Sequence, residues 1–130
     1  SQMARIDAFL ERRRALAARY DEKLAGLPIT LPYQHPDGVS SWHLYVIRVG
    51  EAARKSRKEV FAELRQAGIN PNVHYIPVHL HPHYRKLGFK SGDFPASEAY
   101  YSEAISLPMF VGLSDAEQDH VSDTLHAILS

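Results

Sequence analysis

Residues 73–84 read VHYIPVHLHPHY, which places His74, His79, His81 and His83 within ten residues, half of the chain's eight histidines. Histidines 79, 81 and 83 alternate, and alternate residues of an extended chain share a face, so three imidazoles there would suit a zinc ion. Against that reading, Pro77 and Pro82 interrupt a regular strand, the chain has no cysteine to add a thiolate, and the nearest acid after the run is Asp93. Catalysis by one imidazole needs a partner to orient it and a reactive centre to serve. The sequence offers no paired carboxylates, phosphate-cradling glycine loop or nucleophile elbow. The five lysines (Lys23, Lys55, Lys58, Lys86 and Lys90) fall on helix faces or in loops by pattern. A plainer reading packs some rings against a sheet and leaves others in water. Tyr75 and Tyr84 are interleaved with the histidines, however, and imidazole plus phenol supplies hydrogen bonds and flat faces together. That combination suits sugars and nucleobases.

The elements that must position these residues follow from periodicity. Ile6, Phe9, Leu10, Leu16, Ala17, Tyr20, Leu24 and Leu27 recur at steps of three and four, predicting one long helix from Met3 that exits at Gly26 and Pro28. At about 1.5 Å per residue it would exceed 30 Å, a length more natural for a strut between two bodies than for a wall of one. A breaker-rich connector follows, with Pro32, Pro36 and Asp37-Gly38, and then a strand over 41–49, SWHLYVIRV. Ser56 and Glu59 form a capping box for a helix carrying Val60, Phe61 and Leu64 and ending at Gly68. A second strand is predicted over 69–77, then a loop with one helical turn closed by Gly88, then a short helix after Pro95. ISLPMF (105–110) predicts a third strand, placed at a sheet edge because Pro108 cannot donate to a ladder. Ser114 and Glu117 form another capping box, and Val121, Leu125, Ile128 and Leu129 mark the buried face of the last helix. The expected fold is α+β: a small antiparallel or mixed three-stranded sheet with helices on one face.

At 130 residues the chain fits one domain, and its 45% hydrophobic and 23% charged residues are ordinary for a globular fold. Without cysteine there is no disulfide framework, which fits a reducing, cytoplasmic compartment. No apolar run approaches the roughly 20 residues of a membrane span, and no signal-peptide pattern opens the chain. The zero net charge hides a division: residues 1–90 hold all 15 Lys and Arg with eight acids, and 91–130 hold seven acids with no Lys or Arg. Either the two parts attract each other across the fold, or some of the cationic part faces a phosphate-bearing ligand. Arg54, Lys55, Arg57 and Lys58 gather at one helix start without interleaved aromatics, which argues for a solvated helix end rather than a nucleic-acid surface.

Taken in order, ARIDAFLERRRALAARYDEKLAGL, SSWHLYVIRV, the run RKEVFAELRQAGINPNVHYIPVHLHPHY, and FPASEAYYSEAISLPMFVGLSDAEQDHV resemble the C-terminal part of sugar aminotransferases of the DegT/StrS family, over about Met3 to Leu129. The tail is most similar to enzymes acting on UDP-linked 4-keto-6-deoxy hexosamines on the route to pseudaminic acid. The resemblance implies the fold-type I architecture of pyridoxal-phosphate (PLP) enzymes. Residues 1–27 would be the interdomain helix and 28–130 the small domain. A large domain, not matched by this chain, would carry PLP and its lysine, so the chain alone would not transaminate, and the whole enzyme would be a homodimer. It would move an amino group from glutamate to a 4-keto nucleotide-sugar. No metal, nucleic-acid or membrane role is implied. The residues along the nucleotide-sugar would be His81, Pro82, His83 and Tyr84, with His74, Tyr75 and His79 in support. Family members often have glutamine or tyrosine where this chain has His81, and a second proline where it has Val111. The other reading of the same surface is a free-standing carbohydrate- or nucleotide-binding module with no catalytic activity.

Overall fold

A computed structural model of the chain describes residues 2–130; Ser1, at the start of the predicted 1–27 segment, lies outside it. The first helix is two pieces, a 3-10 turn at Gln2–Arg5 and α1 at Ile6–Lys23, so the regular α-helix is about 27 Å long by its rise per residue. Its C-terminal half is buried through Leu16, Ala17, Tyr20 and Leu24, while Ile6 is 42% exposed and Phe9 and Leu10 are half-buried. The apolar stripe therefore runs past the end of the core it serves. The end of α1 is closed from another element, because His126 Nε2 donates to the Lys23 carbonyl at 2.7 Å, one of the terminal carbonyls a helix cannot satisfy itself.

β1 (Tyr45–Arg48) is shorter than the predicted 41–49. The reason lies at Trp42, whose φ of 48° is left-handed and incompatible with a strand. Arg13 holds that bend, its guanidinium donating to the carbonyls of Trp42 and His43 at 3.0 Å each. α2 (Arg57–Gln66) starts at the expected capping box, with Ser56 and Glu59 bonded reciprocally. After it, residues 69–77 do not form a strand: only Asn72 pairs, as an isolated bridge to Ser106. Pro71 and Pro77 lack the N–H that a ladder needs, and the Asn72 side chain accepts from the next amide, Val73 N, at 2.8 Å. The chain then makes a 3-10 turn at Val78–Leu80 and two helices, α3 (Pro82–Lys86) and α4 (Pro95–Glu103).

β2 (Ala104–Leu107) follows α4 directly and pairs antiparallel with β1, Tyr45 opposite Leu107 and Ile47 opposite Ile105. The sheet is thus two-stranded, not three-stranded, extended by single bridges at Thr30 on β1 and Asn72 on β2. In a two-stranded sheet β2 is an edge strand, as expected, although Asn72 bridges its outer side and all four of its residues are buried. Pro108 falls just past the last paired residue, where its missing N–H costs the ladder nothing.

α5 (Asp115–Leu129) opens at the Ser114–Glu117 capping box. Its Val121, Leu125, Ile128 and Leu129 join α1, Val60 and Leu64 of α2, and the sheet residues Tyr45, Ile47, Ile105 and Leu107 in one core. Three polar side chains in the core are hydrogen-bonded. Tyr20 donates to the Pro108 carbonyl at 3.0 Å, Tyr45 donates to Asp21 at 2.5 Å, and Gln118 Nε2 donates to the Leu16 carbonyl at 2.7 Å. Burial pushes both tyrosine hydroxyls to ionise well above their ordinary range, with the Asp21 carboxylate adding to the shift at Tyr45. The α+β class holds, and α1, α2 and α5 share the core with one face of the sheet.

Because Leu125 is fully buried, Leu125→Ala should cost about 2–5 kcal/mol in urea denaturation. Ser114→Ala, which removes only a cap, should cost about 1 kcal/mol. An L125A loss smaller than that of S114A would place α5 outside the core.

Candidate functional site

The bridge at Asn72 fixes where the histidine segment begins. Asn72 and Ser106 exchange backbone hydrogen bonds at 3.0 and 2.8 Å, and two residues later His74 Nδ1 meets the Ser106 hydroxyl at 2.8 Å. His74 is therefore tied to the outer side of β2, opposite the core face. Tyr75 meets it edge-on, ring centroids 4.7 Å apart, and stands 75% exposed.

The three alternating histidines diverge instead of converging. Pro77, the 3-10 turn and Pro82 at the first turn of α3 rotate each one differently. His79 turns inward, 7% exposed, and its Nε2 bonds the Glu98 carboxylate at 2.9 Å. The carboxylate only accepts, so Nε2 carries the proton of that bond. His81 is exposed and its Nε2 points back to the Ile76 carbonyl at 3.3 Å. His83 is also exposed and packs edge-on against Tyr84, centroids 5.3 Å apart. Among the described residues no three His, Cys, Asp or Glu side chains come together in a metal-holding cluster. Asp93, the nearest acid in sequence, accepts from the Lys90 amide at 2.8 Å within its own turn and does not meet the histidines.

Tyr84 and His79 share a recess of about 330 Å³ with Val78, Phe89, Phe94 and Ser97. His79 lies 4.8 Å from Phe94, Phe94 lies 6.1 Å from Phe89, and Phe89 lies 6.3 Å from Tyr84, measured between ring centres. An aromatic wall with one buried imidazole can take a flat or partly apolar ligand, and the exposed His83, packed on Tyr84, supplies a hydrogen-bonding group beside it. Of the seven residues singled out in the sequence, the structure gathers His79 and Tyr84 at the recess, sets His83 against Tyr84, and has Pro82 start α3. It leaves His74 on the sheet and Tyr75 and His81 on the surface, outside the recess lining. Sequence reading missed Phe89, Phe94 and Glu98. The aromatics flanking the 90–93 turn were the available signal for the first two, while Glu98 looked like an ordinary helix-surface acid.

Glu98 is the most perturbed carboxylate of the site. The Ser91 hydroxyl, the His79 ring and the Gly92 amide all donate to it, in that order of effect, and bring its pKa from 4.5 to about 2.

A bound PLP would require a free lysine amine in an enclosed pocket. Lys23 is paired with Asp119 at 2.5 Å and Lys55 with Glu63 at 2.8 Å, and Lys58, Lys86 and Lys90 are exposed.

The whole fold agrees with known proteins. The model of the DegT/DnrJ/EryC1/StrS aminotransferase family matches residues 1–126, and the chain belongs to that family. Spore coat polysaccharide biosynthesis protein SpsC of Bacillus subtilis is 38% identical over 98% of the chain and 34% of its own length. Spr1654 of Streptococcus pneumoniae, solved in apo and PMP forms, superposes with a TM-score of 0.90 at 36% identity, over 98% of this chain and 32% of its own. Helicobacter pylori PseC, an aminotransferase involved in the biosynthesis of pseudoaminic acid, gives a TM-score of 0.89 at 25% identity, over 99% and 35%. The chain thus spans about a third of the length of the relatives it matches.

A folded-state pKa depressed below the ordinary value contributes stability that is present above pH 4.5 and lost as the pH falls toward 2. Acid titration followed by carboxyl NMR should therefore show Glu98 titrating near 2, with the His79 ring and the Gly92 amide shifting in step. A midpoint at 4 or above, by about the ordinary glutamate value, would mean the three donors do not hold Glu98 in solution.

Proposed function

We propose that this chain is the small, substrate-facing domain of a PLP-dependent sugar aminotransferase, with residues 1–27 as the helix joining it to a cofactor-binding domain and 28–130 as the domain itself. The single observation that carries the reading is the juxtaposition, in a member of this aminotransferase family, of an aromatic recess with an exposed imidazole, His83, packed on its Tyr84. Relatives solved in PLP and PMP forms support PLP as the cofactor of the whole enzyme. In this reading the cofactor and the bond-making steps belong to the other domain.

The reaction in this proposal transfers an amino group from glutamate to a 4-keto nucleotide-sugar in the cytoplasm, by a homodimer. The likeness to PseC supports a UDP-4-keto-6-deoxy-hexosamine as acceptor, the substrate type of the pseudaminic-acid route. This chain's residues would bind and orient that acceptor. His81 and His83 offer ring N–H and lone-pair positions to sugar hydroxyls or an N-acetyl group, and Tyr84 offers a flat face with a hydroxyl at its rim. The half-exposed stripe of Ile6, Phe9 and Leu10 on α1 supports a strut that continues into a second body.

In the complete enzyme, His81→Ala and Tyr84→Ala should each raise the KM for the nucleotide-sugar about tenfold, equivalent to ~1–2 kcal/mol. An unchanged KM in both variants would overturn the assignment. The isolated chain, mixed with PLP, glutamate and the ketosugar, should show no transamination and only weak binding of UDP-sugars by calorimetry. Tight binding by the isolated chain would favour a self-sufficient binding module instead.

A further inference from the structure

Residues 81–97 contain no buried side chain, yet they hold α3, the 90–93 turn and the start of α4 in a defined arrangement. Apolar burial does not fasten this segment. What does is a polar knot centred on Glu98, whose own side chain is 20% exposed. Its Oε1 accepts from His79 Nε2 at 2.9 Å and from the Gly92 amide at 2.8 Å, and its Oε2 accepts from the Ser91 hydroxyl at 2.7 Å. The three donors come from the 3-10 turn on one side and the 91–92 turn on the other, so one carboxylate on α4 closes both. From His79 the constraint passes by ring contact to Phe94, Phe89 and Tyr84, the wall of the recess.

We propose that Glu98 is the positioning residue for the substrate surface, setting the ring of His79 and the 91–92 turn so that the face of Tyr84 stands where the acceptor sugar-nucleotide must lie. This rests on the substrate role argued above for the 74–84 surface. Both carboxylate oxygens are engaged by protein donors and Glu98 is not among the residues lining the recess, so the role assigned to it is through its neighbours. Its geometry is what matters. A glutamine of the same shape keeps an oxygen for His79 and Gly92 and presents an amide N–H to the Ser91 hydroxyl, which rotates to accept it. An alanine leaves three donors without their acceptor.

The test uses the complete enzyme with glutamate and a UDP-4-keto-6-deoxy-hexosamine. Glu98→Ala should raise the KM for the nucleotide-sugar about tenfold, leaving kcat and the KM for glutamate within about twofold. Glu98→Gln should restore the nucleotide-sugar KM to within about twofold of the parent value, and His79→Ala combined with Glu98→Ala should be no worse than about the larger single effect, as expected for one coupled unit. Amide hydrogen exchange over 82–94 should quicken in E98A and not in E98Q. An unchanged KM in E98A would overturn the proposal. So would an E98A that loses kcat and glutamate KM together with the sugar KM, or an E98Q as impaired as E98A. If E98A does not fold, Ser91→Ala removes one donor alone and should raise the sugar KM about threefold; no rise overturns the proposal. Should the unmodified enzyme aminate no nucleotide-sugar, the functional reading fails first, and unchanged exchange in E98A would then sink the positioning role on its own.

Discussion

Ser106 is the residue through which the core and the histidine segment are joined. It sits on β2, 4% exposed, between Ile105 and Leu107, whose side chains face the core. Its backbone N–H and carbonyl are both taken by Asn72, and its hydroxyl by His74. A buried amide, carbonyl or hydroxyl without a partner costs a few kcal/mol, so Asn72 and His74 satisfy groups that burial of β2 would otherwise strand. The bridge of Asn72 to β2 therefore determines where His74 lies and where the histidine segment begins.

Part of the division of charge along the chain is met by ion pairs across the fold. Arg12 reaches Asp115 at 3.1 Å, Arg19 and Lys23 reach Asp119 at 2.7 and 2.5 Å, and Arg48 grips Glu103. Four cations of the positive part thus meet three acids of the negative part, three of those pairs along the α1–α5 contact. Hydrogen bonds from Lys23 and then Arg19 hold the Asp119 carboxyl below its ordinary pKa. These pairs are partly exposed and each contributes little. They orient α5 against α1, while Leu16, Tyr20, Val121 and Leu125 supply the burial.

The recess and the core illustrate two ways of holding a chain. The core is closed by apolar side chains, with Tyr20, Tyr45 and Gln118 hydrogen-bonded among them. The segment from His81 to Ser97 carries its aromatics outward and is fastened by hydrogen bonds to one carboxylate. A surface that must meet a ligand cannot bury its own aromatic faces, so directional bonds take over where burial is unavailable.

The sequence by itself determined the helices with their caps, the core faces, the family resemblance and the stretch that carries the candidate site. Each is a local signal: a 3.6-residue period, a serine three residues before a glutamate, an uninterrupted motif order. It overstated the sheet, because strand propensity over 41–49 and 69–77 cannot register a left-handed Trp42 held by Arg13 from another element, or prolines that remove ladder donors. Only the tertiary structure decided that three alternating histidines part ways. Only the fold pairs His79 with Glu98, nineteen residues on, and lets Phe89 and Phe94 complete a wall with Tyr84. Such partners are set by how turns and helices pack in space, and spacing along the chain holds no record of it.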